Sequence, residues 1–221
     1  HAAVNQPVRM SISRNHSVTH LLHKALRNKF GEQVGQAGSL VTADRMRFDF
    51  TINEAITAEA LREVEREVNL QILGAIPVAW ENMPIAEAKK RGATAMFGDK
   101  YGDIVRVVTM GDYSMELCGG CHVSNTSQIG LFKILSESGV AAGVRRIEAT
   151  TGAGVMKEIA ALEKLLHETA EVLKCSPKDT IKKAQALTKE LKEAHSQIES
   201  LNAKFANNSA GELLDNARVI N

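Results

Sequence analysis

Aromatic side chains are scarce: Trp80 is the lone tryptophan among 221 residues, beside two tyrosines and six phenylalanines. With so few rings, Trp80 and the tyrosines are expected to serve the core rather than to stack on bases. Cysteine is too rare for a disulfide framework. Three cysteines cannot all pair with one another, and two are crowded into Cys118-Gly119-Gly120-Cys121-His122. In a chain without an export signal this favours reduced thiols and metal or redox chemistry, with Cys175 an incidental thiol. An excess of either charge is missing too, since 27 Lys plus Arg against 26 Asp plus Glu leave a formal +1. Global charge therefore does not mark a nucleic-acid binder, and contact with phosphates needs a local basic face. No segment holds the roughly 18 consecutive apolar residues of a membrane helix. His1 to Met10 lacks the charged-then-apolar pattern of a secretion signal, so a cytoplasmic protein away from the membrane is expected. The first residue is not Met, which suggests a processed chain or a piece of a longer one.

What is present is the composition of a globular protein, 44% hydrophobic and 24% charged, long enough for one good core plus an appendage or for two small domains. The chain changes character near Gly152-Ala153-Gly154, dividing it into an amino-terminal domain over residues 1–152 and a helical segment over 153–221. In the second part Val155, Ile159, Leu162, Leu166 and Leu173 draw one stripe down a helix. Ser176 as N-cap and Pro177 at the first helical position start another helix, striped by Ile181, Leu187, Leu191, Ile198 and Leu201. The short link predicts an α-helical hairpin whose stripes equally suit a partner helix, so self-association through this tail is a further expectation. The first part mixes types. Residues 15–30 read as a helix capped at Ser13 or Asn15 and stopped by Gly31. Met46, Phe48 and Phe50 alternate with Arg47 and Asp49 as a half-buried strand, with Leu40-Val41 its hairpin partner. Thr57 to Leu73 reads as a capped helix, and residues 76–80, 104–108, 131–136 and 144–150 as strands. Helices and strands do not alternate strictly, which predicts an α+β fold with helices on a largely antiparallel sheet.

His16 and His20 stand one helical turn apart and so share a face, with His23 a neighbour on it. Such a pair can hold two adjacent corners of a metal's coordination sphere. It is not the metalloprotease signature, because Ser17 stands where that motif has its glutamate. About 100 residues later, Cys118 to His122 supplies thiolate and imidazole on a glycine-rich turn. Each half is weak alone, but together a His, His, Cys, His set makes a tetrahedral zinc site. The same letters fit a thiol redox pair or a c-type haem attachment site. Gly119-Gly120 disfavours the helix that a thioredoxin-like pair needs, and no export signal supports haem attachment.

The order of several segments is specific. Asn15-His16-Ser17-Val18-Thr19-His20-Leu21-Leu22-His23, Gln36 to Val41, Arg47-Phe48-Asp49-Phe50, Glu116 to Gly120 with His122, Gly130 to Ile134 and Gly139 to Ala149 resemble the editing domain of alanyl-tRNA synthetase. The match runs over most of residues 13–152, and the helical segment resembles the linker that follows in that family. The resemblance implies hydrolysis of seryl- or glycyl-tRNA(Ala) made in error, an aminoacyl-tRNA ester hydrolase. It implies zinc bound by His16, His20, Cys118 and His122, and an editing pocket that includes Thr19 and Gln36. The family's spacing of four to His122 points to Cys118 rather than Cys121, which stands where the family commonly has Thr. The ATP-dependent aminoacylation module is not in this sequence, nor is the globular carboxy-terminal domain, so a fragment is expected. The editing domain of threonyl-tRNA synthetase shares the same His and Cys plan, and a zinc-organised tRNA-binding module without turnover is the other class of reading. Arg145 and Arg146 are adjacent on a strand, so at most one is expected to meet phosphate.

Overall fold

A computed structural model describes residues 3–95 and 101–215, with only the backbone path beyond residue 206. Its elements run α1 (Gln6–Phe30), β1 (Gln36–Val41), β2 (Met46–Thr51), α2 (Ala58–Leu73), β3 (Val78–Pro84), α3 (Ile85–Lys90), β4 (Ile104–Met110), β5 (Ser114–Leu117), β6 (Phe132–Ala141), β7 (Val144–Thr151), α4 (Ala153–Val172) and α5 (Thr180–Asp215). The α+β reading holds, with two sheets. One has the order β1-β2-β7-β6 and the other β3-β4-β5, and every pairing between neighbours is antiparallel. By contacts the chain divides into two compact units, His1–Glu158 and Ile159–Asn221.

Helix α1 begins well before the expected residues 15–30. Asn5 caps it by accepting a hydrogen bond from the Val8 amide, and Pro7 sits in its first turn. Its first turns are exposed and carry no apolar stripe, which hides them from a periodicity reading. Gly31 ends it at φ 102°, a conformation open to glycine, with its amide on the Arg27 carbonyl. Val18, Leu21, Leu22, Ala25 and Leu26 are fully buried and meet Phe48, Phe50 and Ile147 of the first sheet, together with Val64, Val68 and Ile72 of α2. Burying each of the valine and leucine side chains contributes roughly 1.5–3 kcal/mol, which is why this face of α1 is fixed on the sheet.

Helix α2 starts as expected, the Thr57 hydroxyl accepting from the Ala60 amide. Its end depends on a distant residue. Ala75 is left-handed at φ 50°, and its amide reaches the Ile72 carbonyl. The buried Thr126 hydroxyl accepts from the Ile76 amide and donates to the Gln71 carbonyl, standing in for a direct backbone bond there. Thr126 opens the 3-10 turn Thr126–Ile129, so the segment just after His122 is pinned to α2.

The second sheet has a small core of Met83, Ala88, Val105, Val107 and Leu117. Two of its elements, α3 and β5, escape a sequence reading because six and four residues are too short to display a period. Trp80 corrects the expectation that it fills the core. It lies on β3, an edge strand, and is 60% exposed. Tyr113 does pack on the main core, and its hydroxyl donates to Glu67 at 2.7 Å.

In the second unit, α4 ends in a paired cap around Lys174 at φ 53°, with Lys174 and Cys175 amides on the Glu171 and Ala170 carbonyls. The link carries Ser176, whose hydroxyl bonds Asp179, and α5 follows. The apolar stripes of both helices stay largely in water: Leu162, Leu166, Ile181, Leu191, Ile198 and Leu201 are exposed. Among the described residues no helix is long and apolar enough to cross a membrane.

Candidate metal centre

The rigid face of α1 and the turn after β5 bring the two halves of the expected constellation together. One ligand atom each from His16, His20, Cys118 and His122 lies within 4.8 Å of the others. Cys118 Sγ is 3.4 Å from His16 Nε2 and 3.3 Å from His122 Nε2. Cys121 is a free thiol and is not part of this group. The turn can approach α1 so closely because residue 120 is glycine: a Cβ there would stand 1.8 Å from His16 Cε1. Backbone bonds fix the turn's start, the Cys118 amide donating to the Arg106 carbonyl at 3.0 Å.

Two of the three imidazoles, those of His20 and His122, are aimed by a partner behind them. The Glu116 carboxylate is 3% exposed and is bonded by His20 Nδ1 on one oxygen and by His23 Nδ1, at 2.8 Å, on the other. His23 is thus not a ligand but a second support, its Nε2 facing the Val34 carbonyl at 3.4 Å. With Nδ1 of His20 donating to Glu116, Nε2 points the other way, where it is buried and has no hydrogen-bond partner. That orphaned atom is the sign that the donor set fits a divalent ion, since a buried imidazole nitrogen otherwise finds a donor or acceptor. Ser17 does the same for His122: its hydroxyl oxygen lies 3.2 Å from Nδ1 and accepts from the Val123 amide at 3.1 Å. The position that lacks the metalloprotease glutamate therefore holds an orienting hydroxyl.

The electrostatics call for a cation. Burial pushes the Cys118 thiol up, yet hydrogen bonds with His122 and His16 and the nearby His20 charge outweigh it and hold the pKa at about 3, which favours the thiolate. Burial also opposes ionisation of Glu116, but the His20 charge and bonds from both histidines hold it at about 2. Between these anions, burial lowers His20 while Glu116 and Cys118 raise it further, to about 10. A positive charge is favoured where the ligand atoms converge. Burial holds the pKa of His122 below the ordinary imidazole value, against the Cys118 hydrogen bond that raises it, and the His20 and His16 charges lower it further.

The cluster forms one wall of a cavity of about 510 Å³, whose lining includes Thr19, Gln36, Ser39 and Arg106 beside His16, His20 and Cys118. Thr19 donates to the His16 carbonyl at 2.6 Å, and the Gln36 amide to the Ser39 hydroxyl at 3.1 Å. Three lining or supporting residues are not marked as site residues by the sequence, although two of them fall in segments that carry the resemblance. Glu116 looks like an outward polar residue of a strand, and Ser39 and Arg106 belong to no spacing pattern. A carboxylate beside the Cys-turn, available to a histidine of α1, was the one usable signal. Arg145 and Arg146 are both engaged by carboxylates, Arg145 by Glu137 and Arg146 by Asp49 through bonds of 2.7 and 2.9 Å.

A family model described as the threonyl and alanyl tRNA synthetase second additional domain matches residues 105–148, the stretch that contains Cys118 and His122. The chain is 54% identical over its whole length to the alanine--tRNA ligase of Acetivibrio thermocellus and 52% identical over 99% of its length to that of Bacillus subtilis. The corresponding enzyme of Exiguobacterium sibiricum is 51% identical over all of the chain. The chain spans about a quarter of the length of these relatives. These whole-chain matches, joined to the family model over the cysteine turn, place the chain in the alanine--tRNA ligase family, as a segment of its relatives' length.

Proposed function

We propose that this chain carries the proofreading hydrolysis of an alanine-tRNA ligase, removing serine or glycine esterified in error to tRNA(Ala). The observation that carries the reading is the convergence of His16, His20, Cys118 and His122, the first three of them on the wall of a cavity that Thr19 and Gln36 also line. Residues 1–152 are assigned the hydrolase and residues 153–221 a helical linker, in a protein of the cytoplasm.

The need for such a site is physical. A synthetic pocket for a small side chain distinguishes a methylene or hydroxyl by only about 1–3 kcal/mol, so a second, hydrolytic site must add selectivity. The hydroxyl of a seryl ester is read by directed hydrogen bonds, for which Thr19, Gln36 and Ser39 supply the polar groups. An alanyl ester would leave them unpaired, which disfavours its entry. Zinc, the ion that a His, His, Cys, His set suits, would supply a fixed positive charge that orients the ester or polarises its carbonyl. Glu116 and Ser17 keep the imidazoles of His20 and His122 in one tautomer, and the apolar packing of α1 holds the spacing.

Deacylation of Ser-tRNA(Ala) by the chain, set beside Cys118→Ala with metal content and circular dichroism measured on both, tests this. The expected result is turnover by the parent, and at least a hundred-fold loss in a folded, metal-poor variant. Absence of turnover in the parent would leave a metal-organised tRNA-binding module.

A further inference from the structure

The lone tryptophan is separated from the cavity by one of its lining residues, Arg106, and nothing in the chemistry above employs it. Trp80 keeps 60% of its surface in water on the edge strand of the second sheet. Apolar burial does not account for an indole so placed. Its surroundings point inward. Trp80 pairs with Val108, which pairs with Glu116, so these three residues lie in one cross-strand row on the same face of the sheet. Arg106, paired with Asn82, is two residues from Val108 and thus on that face as well. The Arg106 guanidinium carbon sits 4.7 Å above the centre of the Trp80 ring. The same group donates from Nη1 to the Gly120 carbonyl at 2.5 Å and lines the cavity. One side chain therefore touches both the metal-site turn and the exposed indole.

In an aminoacyl-tRNA the ester is carried by the ribose of an unpaired terminal nucleotide, so base and ester belong to one residue of the RNA. Whatever holds that base must border the cavity that takes the ester. Tyr101 is the aromatic residue in the cavity lining itself, and Trp80, reached across Arg106, is the broad exposed aromatic surface next to it, with Arg106 adding positive charge for the adjoining phosphate. We propose that Trp80, braced by Arg106, is the stacking site for the terminal base of the RNA ester; this rests on reading the chain as a hydrolase of such esters. Stacking is tolerant of base identity, because every base offers a π-face.

Because Trp80 is the only tryptophan, its emission reports on the site directly. Titrating the full, metal-loaded chain with a short single-stranded RNA ending in an unesterified adenosine is expected to quench that emission saturably. Trp80→Leu, which keeps apolar bulk at an exposed position, is expected to raise KM for Ser-tRNA(Ala) on the order of ten-fold with kcat little changed. Trp80→Phe should recover most of the loss, and both variants should keep full metal content. Hydrolysis by the parent, with an unchanged KM in Trp80→Leu and no quenching, overturns the stacking site while leaving the hydrolase reading intact. Saturable quenching without hydrolysis by the parent does the reverse. Neither signal from the parent overturns both.

Discussion

A Cβ added to Gly120 would reach His16 Cε1 at 1.8 Å, whereas one added to Gly119 meets nothing within 4 Å. The two glycines are neighbours in a turn, yet only one is required by space. Gly120→Ala must push the His16 ring off its present position or shift the turn away from α1. Either movement spoils the ligand geometry, so metal affinity should fall by roughly ten-fold or more, as when the supports of a ligand are lost. Gly119→Ala should leave affinity unchanged. Competitive titration with a chromophoric chelator measures both, and equal behaviour of the two variants would refute the close-approach account. From the sequence the pair reads as a glycine-rich turn that disfavours helix, with nothing to tell its two glycines apart, because the need for space at residue 120 comes from a side chain about a hundred positions earlier. Ligand types and spacing, by contrast, were plain in His16, His20, Cys118 and His122.

Strand β7 shows how an element can be pinned by charge where apolar packing is thin. Arg146 lies directly opposite Asp49 of β2 and grips its carboxylate with two bonds. The hydrogen bond from Arg146 holds Asp49 below the ordinary carboxylate range, against the opposing effect of burial. A depressed folded-state pKa stabilises the fold above the unfolded value and ceases to do so as pH falls through the folded value. Asp49→Asn is therefore expected to cost about 1 kcal/mol near neutrality. Its deficit relative to the parent should shrink steadily in acid, below the usual carboxylate range. Urea midpoints at a series of pH values check this, and a deficit independent of pH would contradict it. The alternation of Met46, Phe48 and Phe50 announces β2, but the partner of Asp49 depends on register between strands 97 positions apart. The early turns of α1 and the short β5 stayed hidden for a simpler reason: exposed turns and four-residue strands carry no periodic signal.

At the scale of the whole molecule, the ion-binding group ties the amino-terminal helix to the turn that leads out of the second sheet. A metal that binds the folded state alone stabilises it by mass action, by about 2.7 kcal/mol when free metal is a hundred times its dissociation constant. Stripping the ion with a strong chelator should lower the melting temperature of the 1–158 unit by several degrees, and adding zinc back should restore it. A melting temperature indifferent to both would mean that the four side chains hold no ion. The class of fold was legible because its helices and main strands are long and periodic. The division into two sheets was not, since it turns on which strand neighbours which, a choice that no local pattern records.

The thiolate and the imidazole it touches on α1 are 102 positions apart. On the ribosome, a growing chain would have made its first two ion ligands long before the other two emerged. An interrupted polypeptide would then carry a helix with two histidines and nothing to complete the sphere, so ion capture can report that translation has passed residue 122.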